Sequence, residues 1–227
     1  MVRRILIVQH AENEGPGSLG EYFGSFRDLQ TIDFSQDGEL PEDLNELAAV
    51  VVMGGPMGVY QESLYPFLKD EYFFINKIIE KRIPYLGVCL GAQLLAKSLG
   101  AEVKKNKFEE IGWHDVTLTD PGVVSDIFSG LPDTFRVFQW HEDTFDLPDS
   151  SALLASSDLC EHQALRCGGN AYGLQFHIEA TPEMITDWVK GEKPSEANRI
   201  ISESYDYYPE LKKRAVQIYD NFNRLLL

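Results

Sequence analysis

Tyr85-Leu86-Gly87-Val88-Cys89-Leu90-Gly91-Ala92-Gln93 joins a buried apolar run to a helical one through a single cysteine set between glycines. Pro84 to Val88 has the character of a strand, and Leu94, Leu95 and Leu99 recur at helical spacing until Gly100. A strand that runs through Gly-x-Cys-x-Gly directly into a helix has the layout of a nucleophile elbow. A tight turn lifts one side chain above the sheet, and the flanking glycines relieve the crowding. Cys89 would then stand at a helix N-terminus, where the dipole favours a thiolate. The plain alternative is a cysteine packed as a small buried hydrophobe beside a permissive turn.

Outward from this stretch the same alternation repeats. Ile5 to Val8 reads as a strand, Gly15 to Gly20 as a loop, and Tyr22, Phe23 and Phe26 mark an amphipathic helix. Ala48 to Met53 is apolar on both faces and stops at Gly54-Gly55-Pro56, as a buried parallel strand does at the carboxyl edge of its sheet. Leu68, Tyr72, Ile75 and Ile79 then follow Pro66 at helical spacing. From Glu102 the pattern changes to short β-type runs: Val116 to Thr119, Thr134 to Phe138, Ala152 to Ser156, Gln163 to Arg166 and Tyr172 to Phe176. The expected fold is α/β and flavodoxin-like, a mostly parallel central sheet flanked by helices, with a small additional antiparallel sheet. Thr181 to Lys190 reads as a capped helix, and Leu211, Ala215, Ile218, Phe222 and Leu225 as a C-terminal amphipathic one. Residues 1–190 are expected to form the principal domain. The polar stretch Gly191 to Ser195 is the linker candidate, and 191–227 a helical extension too small to fold alone, packed on that domain or making a homodimer contact.

Composition excludes whole classes. With 227 residues, 44% hydrophobic and 25% charged, the chain is a folded protein rather than a disordered or fibrous one. Twenty Lys and Arg against 36 Asp and Glu give a net charge of −16, which opposes binding to nucleic acid and to anionic membranes. The longest apolar stretches fall far short of the ~20 residues that span a bilayer. Three cysteines, and only a short apolar run after Met1-Val2-Arg3-Arg4, predict reduced thiols and a cytoplasmic location. Cys160 and Cys167 lack companions at zinc spacing, so they are read as structural and no metal or other cofactor is expected.

A cysteine nucleophile needs a base and a group to orient that base. Five histidines are available, His10, His114, His141, His162 and His177. In Gln175-Phe176-His177-Ile178-Glu179, residues 177 and 179 share one side of an extended chain, so Glu179 could hold one ring nitrogen while the other faces Cys89. A developing oxyanion needs backbone donors, and Gly55 and Leu90 N–H are the candidates. The Gly54 loop lacks the Lys-Ser/Thr ending of a phosphate loop.

Together, Gly54-Gly55-Pro56, Gly87-Val88-Cys89-Leu90-Gly91-Ala92-Gln93 and Gln175-Phe176-His177-Ile178-Glu179, in that order, resemble the triad-type, class I glutamine amidotransferases, in particular the glutaminase domain of GMP synthase and its stand-alone relatives. The resemblance spans roughly residues 1 to 190. It implies Cys89 as nucleophile, His177 as general base and acid, and Glu179 as the orienting carboxylate. It further implies Gly55 and Leu90 as oxyanion donors, Gln93 as a glutamine contact, and Trp140 and His141, within Trp140-His141-Glu142-Asp143, as a wall around the α-amino and α-carboxyl groups. The substrate implied is glutamine or a γ-glutamyl compound, and the partner a synthetase subunit that accepts ammonia, because nothing in the sequence resembles the ATP-dependent synthetase domain. Two other readings stand beside it: a γ-glutamyl peptidase or hydrolase on the same fold, and a non-catalytic regulatory module.

Overall fold

The computed structural model describes residues 3–226; Met1, Val2 and Leu227, the outer ends of the two expected segments, lie outside them. In chain order the strands are β1 (Arg4–Gln9), β2 (Leu29–Asp33), β3 (Leu47–Val52), β4 (Tyr85–Val88), β5 (Val103–Leu118), β6 (Thr134–Phe145), β7 (Ser151–Ser156), β8 (Ala164–Cys167) and β9 (Ala171–Leu174). The helices are α1 (Gly17–Gly24), α2 (Phe67–Glu80), α3 (Leu90–Ser98), α4 (Asp120–Val123), α5 (Pro182–Trp188) and α6 (Pro194–Arg224).

The α/β architecture is as expected, with one difference in the sheet. All the strands join a single mixed sheet in the order β2-β1-β3-β4-β9-β8-β7-β5-β6. β2, β1, β3, β4 and β9 run parallel, and the other four continue the sheet in antiparallel pairing instead of forming a separate one. The join is narrow, Thr117 and Leu118 of β5 pairing with Ser156 and Ala155 of β7. Beyond it β5 and β6 form a long ribbon whose register shifts between Lys105 and Glu110.

The parallel strands are apolar on both faces because both faces are covered. Ile5, Ile7, Ala49, Val51, Leu86 and Val88 point into one core with Leu19 and Phe23 of α1, Ile185 of α5 and Ile218 and Phe222 of α6. Leu6, Val8, Val50, Val52 and Tyr85 point the other way, against Leu68, Phe74, Ile75 and Ile78 of α2 and Leu94 and Leu95 of α3.

The C-terminal helix is longer than the apolar repeat alone indicates. Gly191 to Ser195 reads as a linker because of its proline, yet Pro194 occupies the first helical turn, where its missing N–H costs nothing. The helix continues through Pro209 because Ile200, Leu211, Ala215, Ile218 and Phe222 anchor its length to the core. Tyr219 Oη donates to Ile178 O at 3.1 Å and lies 3.0 Å from Ser18 Oγ, while Ser18 N donates to Glu179 O at 3.0 Å. α6 therefore braces the backbone of the His177–Glu179 segment from behind.

Candidate active site

The candidate residues gather just past the carboxyl ends of adjacent parallel strands, where ligands bind in open α/β sheets. His10 follows β1, Gly54 and Gly55 follow β3, Cys89 follows β4, and Gln175, His177 and Glu179 follow β9. They border a cleft of about 360 Å³ lined in part by Glu14, Gly55, Tyr60, Cys89, Gln93 and Trp140.

Cys89 caps α3 with φ 50° and ψ −104°, a left-handed backbone that a non-glycine residue adopts at a cost of about 1–3 kcal/mol. The turn closes through Cys89 N donating to Leu174 O at 2.8 Å, and Cys89 O accepting from Ala92 N and Gln93 N. Both flanking glycines are sterically required. A Cβ on Gly87 would lie 2.4 Å from the Gly91 backbone, and one on Gly91 would lie 2.2 Å from Val52 O. The Leu90 N–H and the Gly55 N–H have no acceptor among the described residues.

His177 and Glu179 are both buried, with His177 Nδ1 2.7 Å from Glu179 Oε1. His177 N donates to Phe138 O at 2.9 Å, and the Trp188 ring meets the imidazole edge-on at 4.8 Å. These contacts fix the ring and leave Nε2, buried and otherwise unpartnered, toward the thiol. Burial alone would lower the imidazole's pKa, but the charges of Glu179 and Cys89 outweigh it and raise the pKa well above the ordinary histidine value.

The remaining expected contacts are placed as follows. Gln93 is buried and donates to Gln175 Oε1 at 3.1 Å, and Gln175 Nε2 in turn donates to Cys89 Sγ at 3.6 Å. Trp140 presents its carbonyl 3.9 Å from Cys89 Sγ, so its backbone rather than its ring faces the sulfur. His141 has Nδ1 2.9 Å from Asp143 O and Nε2 3.1 Å from Glu110 Oε2, which leaves neither nitrogen for the thiol.

Glu110, His141 and Cys160 are the grouping among the described residues whose donor atoms are near enough to share a metal ion, all within 4.8 Å of one another. Those donors already engage one another and their neighbours. Glu110 accepts from Ser157 at 2.7 Å and Gln163 at 2.6 Å, and although burial would push its carboxyl up, His141 and Ser157 hold it below the ordinary range.

Two participants escape sequence reasoning. Gln175 shows no signal beyond its place before Phe176. Glu14 comes from the glycine-rich loop after β1, and a Cβ on Gly54 would touch its Oε2 at 2.5 Å, His177 Cε1 at 3.2 Å and Cys89 Cβ at 3.8 Å. Burial and Glu179 raise the Glu14 carboxyl above its ordinary range against the pull of His177.

Cys89 opens onto the cleft, while burial pushes the Cys160 and Cys167 thiols up from their ordinary values. Iodoacetamide or 6-diazo-5-oxo-norleucine is therefore expected to label Cys89 well before the other two, as read by peptide mapping. Earlier labelling of Cys160 or Cys167 would refute the elbow assignment.

Comparison with known proteins identifies the family. The class-I glutamine amidotransferase family profile matches residues 22–188, and the chain belongs to that family. It is a cysteine-dependent amidotransferase with glutamine-hydrolysing relatives. It is 34% identical over 189 residues to the glutamine amidotransferase-like protein YfeJ of Salmonella typhimurium, covering 80% of this chain and 78% of that one. It is 33% identical over 166 residues to the glutamine-hydrolysing GMP synthase of Thermosipho africanus, covering 72% of this chain but only 30% of the synthase. A crystal structure of a glutamine amidotransferase from Thermotoga maritima superposes with a TM-score of 0.88 at 35% identity, covering 100% of this chain and 99% of that one. Among the described residues, no helix is long and apolar enough to cross a membrane.

Proposed function

We propose that the chain hydrolyses the side-chain amide of free glutamine through a thioester on Cys89 and passes the ammonia to a separate synthetase. The observation that carries this reading is the strained Cys89 turn at the head of α3, set beside an imidazole whose far nitrogen is pinned at 2.7 Å by Glu179. In the first half-reaction the Cys89 thiolate attacks the amide carbon, and Gly55 N–H and Leu90 N–H receive the oxyanion. The C–N bond then breaks as His177 gives its Nε2 proton to the departing ammonia. In the second half, His177 takes a proton from water, the water attacks the thioester carbon, and glutamate leaves as the sulfur regains its charge.

The cleft chemistry supports an amino-acid amide. Glu14, Glu142, Asp143 and Glu192 line it against Lys105, which is itself paired with Glu142 at 2.7 Å and Asp143 at 3.1 Å. Such a lining suits a substrate bearing a free α-ammonium group. The nucleophile works only as a free thiol, which fits the reducing cytoplasm.

The family likeness supports a synthetase as the ammonia acceptor, since the match to the glutamine-hydrolysing GMP synthase of Thermosipho africanus covers only 30% of that longer chain. The test is steady-state ammonia release by the purified chain from glutamine and from a small γ-glutamyl peptide panel. Glutamine is the expected substrate, with its turnover rising at least ~10-fold, about 1.4 kcal/mol of barrier, when an ATP-dependent synthetase partner and its nucleotide are added. Unaided peptide cleavage near the median enzyme rate of about 10 per second, with negligible glutamine turnover, would replace this reading with a γ-glutamyl hydrolase.

A further inference from the structure

We propose that His10 and Glu71 form a buried positioning pair that orients and polarises the Gly54–Gly55 peptide, and so sets the strength of the Gly55 N–H as an oxyanion donor. This rests on the glutaminase reading and adds to it two residues remote from the substrate.

The two side chains are fully buried. His10 Nδ1 lies 2.9 Å from Gly54 O, and His10 Nε2 lies 2.9 and 3.1 Å from the two carboxylate oxygens of Glu71. Both ring nitrogens therefore face atoms that can only accept, when the carboxylate is ionised. A neutral imidazole has one N–H and would leave a lone pair against an acceptor; the imidazolium satisfies both contacts. Phe34 and Phe67 stack on the ring at 5.9 and 6.0 Å and confine it to this orientation. Burial opposes the charge on His10, but Glu71, Gly54 O and the more distant Glu14 raise its pKa above the ordinary value.

The consequence for the loop follows from peptide geometry. In a trans peptide the C=O and the next N–H point in opposite directions, so a donor that holds Gly54 O toward His10 turns the Gly55 N–H the other way. Gly54 borders the reacting groups, since a Cβ on it would approach Glu14 Oε2, His177 Cε1 and Cys89 Cβ at 2.5, 3.2 and 3.8 Å. A charged donor on the carbonyl also polarises the amide and strengthens its N–H toward an anion. Gly55 has no room for a side chain, because a Cβ would meet Met57 Sδ at 2.6 Å, Leu90 Cδ2 at 2.7 Å and His10 Cβ at 3.0 Å. The loop is thus clamped between His10 and the elbow. Nothing in the proposed proton transfers uses His10 or Glu71, which leaves their buried ion pair without another role in the chemistry.

The test uses Glu71→Gln and His10→Gln in the full chain, with two readouts. Glutamine hydrolysis forms an oxyanion, whereas alkylation of Cys89 by iodoacetamide displaces iodide at a saturated carbon and forms none. Removing a whole oxyanion donor typically costs 10²- to 10³-fold in kcat, so weakening one should cost roughly 10-fold. Each variant is expected to lose about that factor in kcat with KM within about twofold of wild type, while the Cys89 alkylation rate is unchanged. A parallel fall in both rates would mark a merely structural pair and overturn the proposal, as would unchanged turnover in both variants. A third measurement needs neither variant nor turnover: ¹⁵N NMR of histidine-labelled wild-type chain at pH 7 should show both His10 nitrogens protonated, and a neutral His10 would overturn the proposal. A wild-type chain inactive on glutamine would refute the glutaminase reading while leaving the NMR result to decide the charge of the pair.

Discussion

Replacing His177 with asparagine is expected to lower kcat/KM for glutamine by about 10²- to 10⁴-fold, the usual contribution of a positioned acid–base group. The ring is the proposed proton carrier in both half-reactions, and His141, the nearest alternative in sequence terms, has both nitrogens engaged elsewhere. Glu179→Gln should cost less, because the carboxylate orients and balances the imidazolium without touching substrate. Its signature lies in pH dependence. Glu179 is among the charges that raise the His177 pKa, so removing it lowers that pKa, and the alkaline limb of the kcat/KM profile should move to lower pH. Rate profiles of the two variants check both statements. Full activity in both would show that another residue is the base.

Gly91→Ala is expected to damage stability and catalysis together. Its Cβ would sit 2.2 Å from Val52 O and 2.9 Å from Val52 C, backbone atoms of a strand buried on both faces. Relief requires α3 to move off β3, which should cost at least about 1–3 kcal/mol in overpacking. The same movement displaces Cys89 from His177, and a 1 Å misplacement is worth about 10²-fold in rate. Gly169→Ala, where a Cβ meets nothing within 4 Å, should be neutral in both respects. Thermal melts and turnover of the two variants provide the comparison. A wild-type melting temperature in Gly91→Ala would remove the steric basis of the elbow.

Local sequence rules read some parts of this molecule well. The Gly-x-Cys-x-Gly turn was legible because close packing of strand, turn and helix restricts each position separately. Ala48 to Met53 was legible because burial on both faces removes every polar residue. β2 was not, since Leu29-Gln30-Thr31-Ile32-Asp33 is an edge strand with mixed burial and lacks a clean alternation. The full β5–β6 ribbon was hidden by its charged bulge between Lys105 and Glu110, so only the ends nearest the sheet read as strands.

The buried polar partners divide in the same way. His177 and Glu179 lie two residues apart and could be paired from spacing. His10 and Glu71 are separated by 61 positions and by β2 and β3, a relation no local pattern encodes. One signal was available: Glu71 is a fully buried acid on the apolar stripe of α2, beside Leu68, Ile75 and Ile78, and an acid in such a stripe demands a partner. Glu14 gives no signal of this kind, because only the folded loop carries it over Gly54.

The central claim is that Cys89 carries the γ-glutamyl group. Its most direct test is acid quenching of the wild-type chain during turnover of glutamine, followed by mass mapping of its peptides. A γ-glutamyl thioester is expected on the peptide containing Cys89 and absent from Cys89→Ala, which should also release no ammonia. An adduct on Cys160, Cys167 or another residue, or undiminished ammonia release by Cys89→Ala, would contradict that claim.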